Sequence, residues 1–209
     1  KLGVLQIHEN LMALGIDPSK VTKVFLSHLH KDHAGGISYL HPIHQEQFIS
    51  FPYAKYYVQK REFEEVMQNS KNPTLLAQVG ILESFSGTVW LTEDKGSIDN
   101  IIHYEITGGH CAFHQAAWIK ENEEIIFFGA DVAPQLQQMK SRFVAKYDLD
   151  GKKAWIFHGD VFDSSINHAK WLAKLGGWGY DILILIIFLN KIHFKLLIKT
   201  QLTSYFIRF

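Results

Sequence analysis

The 209-residue sequence sets 21 Lys and Arg against 21 Asp and Glu, for a formal net charge of zero, and is 47% hydrophobic. That length supports one sizeable domain with its own core, and the balanced charge argues against a generally basic nucleic-acid footprint. A lone cysteine, Cys111, excludes an intrachain disulfide and a multi-thiolate zinc cluster, which leaves 12 histidines as the unusual feature of the composition.

In chain order, "KLGVLQIHEN" carries no basic segment followed by a long apolar one and does not read as a signal peptide, so the compartment stays open with the cytoplasm as the default. Leu5, His8, Leu11, Met12 and Leu14 fall near helical spacing. They predict a helix of roughly three turns that stops at Gly15, with Asp17 and Pro18 beyond it. "VTKVFLS" is short and β-branched, a buried strand.

At the exit of that strand stands "HLHKDHAGG". His28 and His30 are two apart on extended backbone and project to one side. Asp32 and His33 add a carboxylate and a third imidazole, and Gly35 and Gly36 permit a sharp turn after them. Imidazoles and carboxylates at this density suit zinc, with iron or manganese as alternatives.

Residues 51–69 begin as a Tyr-rich extended piece containing Tyr53, Tyr56 and Tyr57 and continue as a charged helix with Phe63, Val66 and Met67 inward. "GTVWLTEDKGSIDNIIHYEIT" reads as strand, Gly-Ser turn, strand. "AFHQAAWIK", the turn "ENEE" and "IIFFGAD" form a strand pair ending at Asp131. Paired strands with helices before and between them point to a layered α/β or α+β sandwich. The segment "DILILIIFLNKIHFKLLIKTQLTSYFIRF" loses this patterning. Its apolar run breaks at Asn190 and Lys191, short of the about 20 residues a membrane span needs.

The motif "HLHKDHAGG" resembles the His-x-His-x-Asp-His signature of the metallo-β-lactamase superfamily, with similarity from about Leu5 to Asp131. "ITGGHCAFHQAAWI" resembles the superfamily's third-histidine segment and offers His110 as the matching ligand. "IIFFGADV" resembles its strand followed by Gly-Asp, with Ala130 inserted, and offers Asp131 as the metal-bridging carboxylate.

The resemblance implies that His28, His30 and His110 hold one metal and that Asp32, His33 and a final histidine hold a second, with Asp131 between them. That final histidine is His158 at the end of "KKAWIFH". Only 27 positions separate it from Asp131, so His168, or no final histidine, stays as the alternative. The implied fold is an αββα sandwich of two mixed sheets with helices outside.

The implied activity is hydrolysis of a small ester, thioester, lactone or amide by metal-bound hydroxide, with Asp32 orienting the water. Paired cations about 3.5–4 Å apart lower the pKa of such a water toward about 7. The expected partner is a small-molecule substrate, with neither nucleic acid nor membrane.

A nuclease relative would need a basic surface and an added domain. A diiron oxygen-reducing relative usually has glutamate where His30 stands. The non-enzyme alternative is a truncated, catalytically incompetent chain that at most binds metal. Relatives precede the first helix with several strands. Residues 1–180 are therefore expected to be a partial domain lacking its N-terminal hairpin, and residues 181–209 an atypical tail outside the evolved domain or, alternatively, an edge strand or surface helix.

His114 is expected to pack or face substrate and Cys111 to be a small buried residue. His41 and His44 are expected in a loop, solvated or touching substrate.

Overall fold

A computed structural model describes residues 5–13, 15–121, 124–132 and 144–154, together with the backbone of strands 169–171, 183–185 and 196–197. Helix α1, Gln6–Ala13, is shorter than the three turns expected. It ends where the sequence signals, at Gly15 with φ 73°. Gly15 N–H donates to Met12 O at 2.9 Å and Ile16 N–H to Leu11 O at 2.9 Å, the paired bonds of a glycine C-terminal cap.

Strand β1, Lys23–Phe25, leads into a single helical turn, α2, Lys31–Ala34. A small hairpin follows, β2 (Ser38–Leu40) with β3 (Gln47–Ile49). Strand β4 is Lys55–Gln59 and helix α3 is Lys60–Asn69. Helix α4, Pro73–Ser84, starts on Asn72, whose Oδ1 accepts from Thr74 N and Leu75 N. It buries Leu75, Val79 and Leu82, spaced four and three residues apart and so on one helical face.

Then come β5 (Thr88–Leu91), β6 (Lys95–Ile98), β7 (Ile102–Ile106), β8 (Gln115–Glu121), β9 (Glu124–Phe128), β10 (Ala169–Trp171), β11 (Leu183–Leu185) and β12 (Leu196–Leu197).

The strands sort into two five-stranded mixed sheets, ordered β12-β11-β1-β4-β5 and β10-β9-β8-β7-β6. In the first sheet β1, β4 and β5 run parallel, joined through α2 with the β2–β3 hairpin and then through α3 and α4, while β11 lies antiparallel to β1. The second is antiparallel except where β10 joins β9.

The period-two alternation of strands decides which side each residue serves. Val24, Tyr56 and Val58 pack with Leu11, Phe63, Val79 and Leu82 under the helices. Their neighbours Phe25 and Tyr57 point the other way, against Ile98, Ile102, Tyr104, Ile119 and Phe128 of the second sheet. The result is an α+β sandwich of two mixed sheets with helices outside, the expected architecture.

Two expectations change. Gly96 and Ser97 lie inside β6, and the turn falls at Asp99 and Asn100, with φ 52° and 57°. Ile101 N–H closes it on Ile98 O. Two consecutive left-handed residues match the right-handed twist of a hairpin, a geometry that Asp and Asn tolerate better than most. Gly96 remains useful because the Tyr104 side chain lies across it, with its hydroxyl 2.7 Å from where a Cβ would stand. The "GTVWL" strand also parts from its sequence neighbours, since β5 belongs to the first sheet and β6 and β7 to the second.

In the C-terminal stretch, residues 183–185 pair with β1 and residues 196–197 pair with 184–185. No helix among the described residues is long and apolar enough to cross a membrane.

Leu82 is fully buried under the helical layer. Leu82→Ala should lower the unfolding free energy by about 2–5 kcal/mol in urea titrations, whereas Met12→Ala on the exposed side of α1 should change it by less than about 0.5 kcal/mol.

Candidate metal centre

Five side chains from three separate segments of the sequence meet at one edge of the sandwich. His28 lies three residues past β1, and His30 forms the extended N-cap of α2, with φ −65° and ψ 152°. The single turn of α2 then swings His33 inward to 2% exposure, while Asp32 stays 64% exposed beside it. Gly35 has φ −62°, and neither it nor Gly36 uses the left-handed region, so the pair contributes small size rather than unusual backbone.

His110 arrives on the loop between β7 and β8. That loop is pinched at its base by Thr107 N–H and Gly108 N–H, both donating to His114 O. Asp131 lies on a 3-10 turn, Ala130–Val132, directly after β9. Ala130 takes φ 45° there.

Two triads result, His28–His30–His110 and His28–His33–Asp131, each with ligand atoms within 4.8 Å of one another. His28 belongs to both. Nε2 of His110 lies 3.0 Å from Nδ1 of His30 and 3.5 Å from Asp131 Oδ2. The same carboxylate oxygen is 3.1 Å from His33 Nε2. Asp131 Oδ2 therefore stands between the two groups of imidazoles.

The rings' far sides are held by other groups. Ser27 Oγ is 3.1 Å from His28 Nδ1. Asp148 Oδ1 is 3.2 Å from His110 Nδ1, and its Oδ2 accepts from Ala145 N–H at 3.0 Å. A carboxylate beside Nδ1 favours the tautomer protonated there, which leaves the His110 Nε2 lone pair facing the cluster.

Burial pushes the pKa of His28 well below the usual histidine value, and the neighbouring rings of His33, His114, His30 and His110 add to the effect. His30 is lowered by burial and by His110 and His33. These rings are accordingly neutral, with lone pairs to offer. His28 Nε2 and His33 Nδ1 are buried and have no hydrogen-bond partner among the described residues.

A buried imidazole nitrogen without a partner is costly. Imidazole nitrogens gathered around one carboxylate oxygen, with His28 Nε2 left unpartnered beside them, are the donor set that a divalent cation satisfies. The residues present thus fit a metal.

His28, His30, His33, His110 and Asp131 come together as expected from the sequence. Asp32 sits at the rim with Oδ2 3.5 Å from His33 Nε2, outside both triads. His158 and His168 lie outside the described residues.

His114 precedes β8 and is fully buried. Its Nδ1 is 2.7 Å from Thr107 Oγ1, and its ring centroid is 4.9 Å from that of His28. His41 and His44 stay in the β2–β3 loop, where His41 Nδ1 accepts from Ile43 N–H and His44 N–H. Tyr53 is exposed, while Tyr56 and Tyr57 are core residues. Cys111 donates its thiol to Glu62 and burial holds its pKa up.

Asp148, Tyr147 and Glu62 were not legible. The Tyr147 ring meets His110 edge-on at 5.5 Å, while Glu62 is a nearly buried acid on α3. Glu62 stands one helical turn before Val66, so the helical wheel alone could have placed it inward.

The family model for the metallo-beta-lactamase superfamily matches residues 3–173. The chain belongs to that superfamily. The match runs well past the stretch from Leu5 to Asp131 in which its motifs are legible.

Among solved structures of this superfamily's fold, a probable metal-dependent hydrolase from Staphylococcus aureus is similar at TM-score 0.68 and 16% identity, covering 96% of this chain and 70% of that one. AidC, a dizinc quorum-quenching lactonase, is similar at TM-score 0.59 and 16% identity, covering 94% of this chain and 70% of its own. An N-acyl homoserine lactone hydrolase with product bound at its catalytic metal center is similar at TM-score 0.57 and 17% identity, covering 78% of this chain and 58% of that one. At these identities the likeness is one of fold. No curated protein matches the chain.

The loop that presents His110 to this superfamily site depends on two left-handed glycines. A Cβ at Gly108 would meet the flexible end of Lys153, whereas one at Gly109 would lie 2.8 Å from the backbone of Ala154. Gly108→Ala should cost about 1–2 kcal/mol from its φ alone, and Gly109→Ala measurably more, when both are compared by chemical denaturation.

Proposed function

We propose that this chain is a metal-dependent hydrolase that cleaves a small carboxylic ester, thioester, lactone or amide, with lactones the first class to test. The observation that carries this reading is the pair of triads sharing His28, with Asp131 Oδ2 between them. His28, His30 and His110 would hold one divalent ion. His33 and Asp131 would hold a second, with Asp32 at the rim and His158 completing the set by resemblance. Zinc suits these donors, with iron or manganese as alternatives. When bound, such ions supply Lewis acidity for a carbonyl and bring the pKa of coordinated water toward about 7.

The chain's own groups do the rest. Asp131 Oδ2, 13% exposed, fixes negative charge between the imidazoles. Asp148 holds the His110 ring by Nδ1 and so keeps its Nε2 turned to the site. Asp32, free to solvent on one side, accepts a hydrogen bond from the attacking water and orients it. Tyr147, mostly exposed, stands edge-on to His110 at the solvent side of the site.

The lactone preference draws on the fold-level likeness to AidC and to the N-acyl homoserine lactone hydrolase. A fold hosts many chemistries, so the substrate must come from assay. A small-molecule substrate is proposed from the resemblance to small-acyl hydrolases, and the zero formal charge offers no general basic footprint for nucleic acid.

Dialysis of the purified chain against a strong chelator should abolish turnover of a panel of lactones, thioesters and aryl esters, and added zinc should restore it. His110→Ala should lower kcat/KM by about 10²–10³-fold, the scale of losing an electrostatic stabiliser. Turnover indifferent to the chelator, or absent from every member of the panel in the zinc-loaded chain, contradicts the reading.

A further inference from the structure

We propose that Glu62 is a positioning residue for the metal centre, a single buried carboxylate that ties the His28–His30 segment to the His110 loop. The inference rests on the metal-dependent reading above and adds to it the element that holds two separate ligand-bearing segments in register.

From α3, Glu62 Oε1 accepts the backbone N–H of Leu29 at 3.1 Å, the peptide link between His28 and His30. The Cys111 thiol, next in sequence to His110, donates to the same carboxylate at 3.5–3.6 Å. One side chain therefore receives a donor from each segment, and those donors are 82 positions apart in the sequence.

Glu62 is 3% exposed. Burying a carboxylate is expensive unless it is hydrogen-bonded. A helix that only needed to pack would carry an apolar residue here, as it does next door at Phe63. Nor is Glu62 spent on capping its own helix. It occupies the third position after the N-cap Gln59, where an acid commonly reaches back to the cap's backbone N–H. Here it reaches forward to Leu29 instead.

The same first turn of α3 adds a second grip on the His110 loop. The Arg61 guanidinium lies 5.1 Å over the Phe113 ring, within cation–π range, and is anchored by Asp94. The two contacts from adjacent residues, Arg61 on Phe113 and Glu62 on Cys111, hold the loop at two points just past His110.

The test compares Glu62→Gln, which keeps an acceptor for Leu29, with Glu62→Met, which keeps the length but removes both acceptors. Zinc affinity is read by competition with a chromogenic chelator, and geometry by the visible absorption of the cobalt(II)-loaded chain. A residue that merely stabilised the fold would leave both unchanged in folded protein. Glu62→Gln should stay within about threefold of wild-type affinity. Glu62→Met should lose about 10–100-fold, the range for partners of metal ligands, with an altered cobalt spectrum.

Should Glu62→Met fail to fold, Glu62→Asp decides, because it keeps the charge but withdraws it by one methylene and should lose about tenfold. Wild-type affinity and spectrum in folded Glu62→Met, or in Glu62→Asp when Met does not fold, overturn the proposal alone, as does a Glu62→Gln that loses as much as Glu62→Met. A wild-type chain that takes up no metal overturns the functional reading and this proposal with it, and the two failures are thereby told apart.

Discussion

Four imidazoles and a carboxylate are held within contact distance at the edge of this sandwich, and the rest of the site's construction answers to that crowding. Neutral imidazoles do not attract one another strongly. Burial takes away the water that would otherwise satisfy them, and for His28 and His30 burial first, then the neighbouring rings, opposes protonation. A cation among the lone pairs is the arrangement that removes the conflict, and membership of the metallo-beta-lactamase superfamily agrees with that chemistry.

Holding the rings in place falls to groups around them. Ser27 meets His28, Asp148 meets His110 and Thr107 meets His114, each at the ring nitrogen turned away from the cluster or behind it. The 145–150 segment adds backbone clasps, with Leu149 N–H on His110 O and Asp150 N–H on Gly109 O. These bonds are set by the two-sheet framework, since the His28 segment leaves the first sheet and the His110 and Asp131 segments leave the second. The site is thus a joint between sheets. Anything that shifts one sheet against the other shifts one triad's members against the rest.

What the sequence made legible was whatever is local. The "HLHKDH" run declares its ligands because their spacing on one short stretch is itself the signal, and β8 and β9 are declared by alternation around "ENEE". The β6–β7 turn was misplaced because Gly-Ser is a stronger local cue than Asp-Asn. The decisive factor was cross-strand packing of Tyr104 on Gly96, which pairs residues eight apart. Asp148 carries no local signature, and the helical wheel gives Glu62 an inward direction but not its partner. Glu62 reaches Leu29 across 33 positions and Asp148 reaches His110 across 38, so their roles exist only once the sheets have assembled.

The most direct measurement of the central claim is the metal content of the purified full chain by plasma mass spectrometry after equilibration with zinc and removal of free ion. At least one tightly held zinc per wild-type chain is expected. In a His28→Ala/His110→Ala double variant whose circular dichroism shows an intact fold, that zinc should be lost. A wild-type chain free of zinc, or a double variant that retains it in full, would contradict the account.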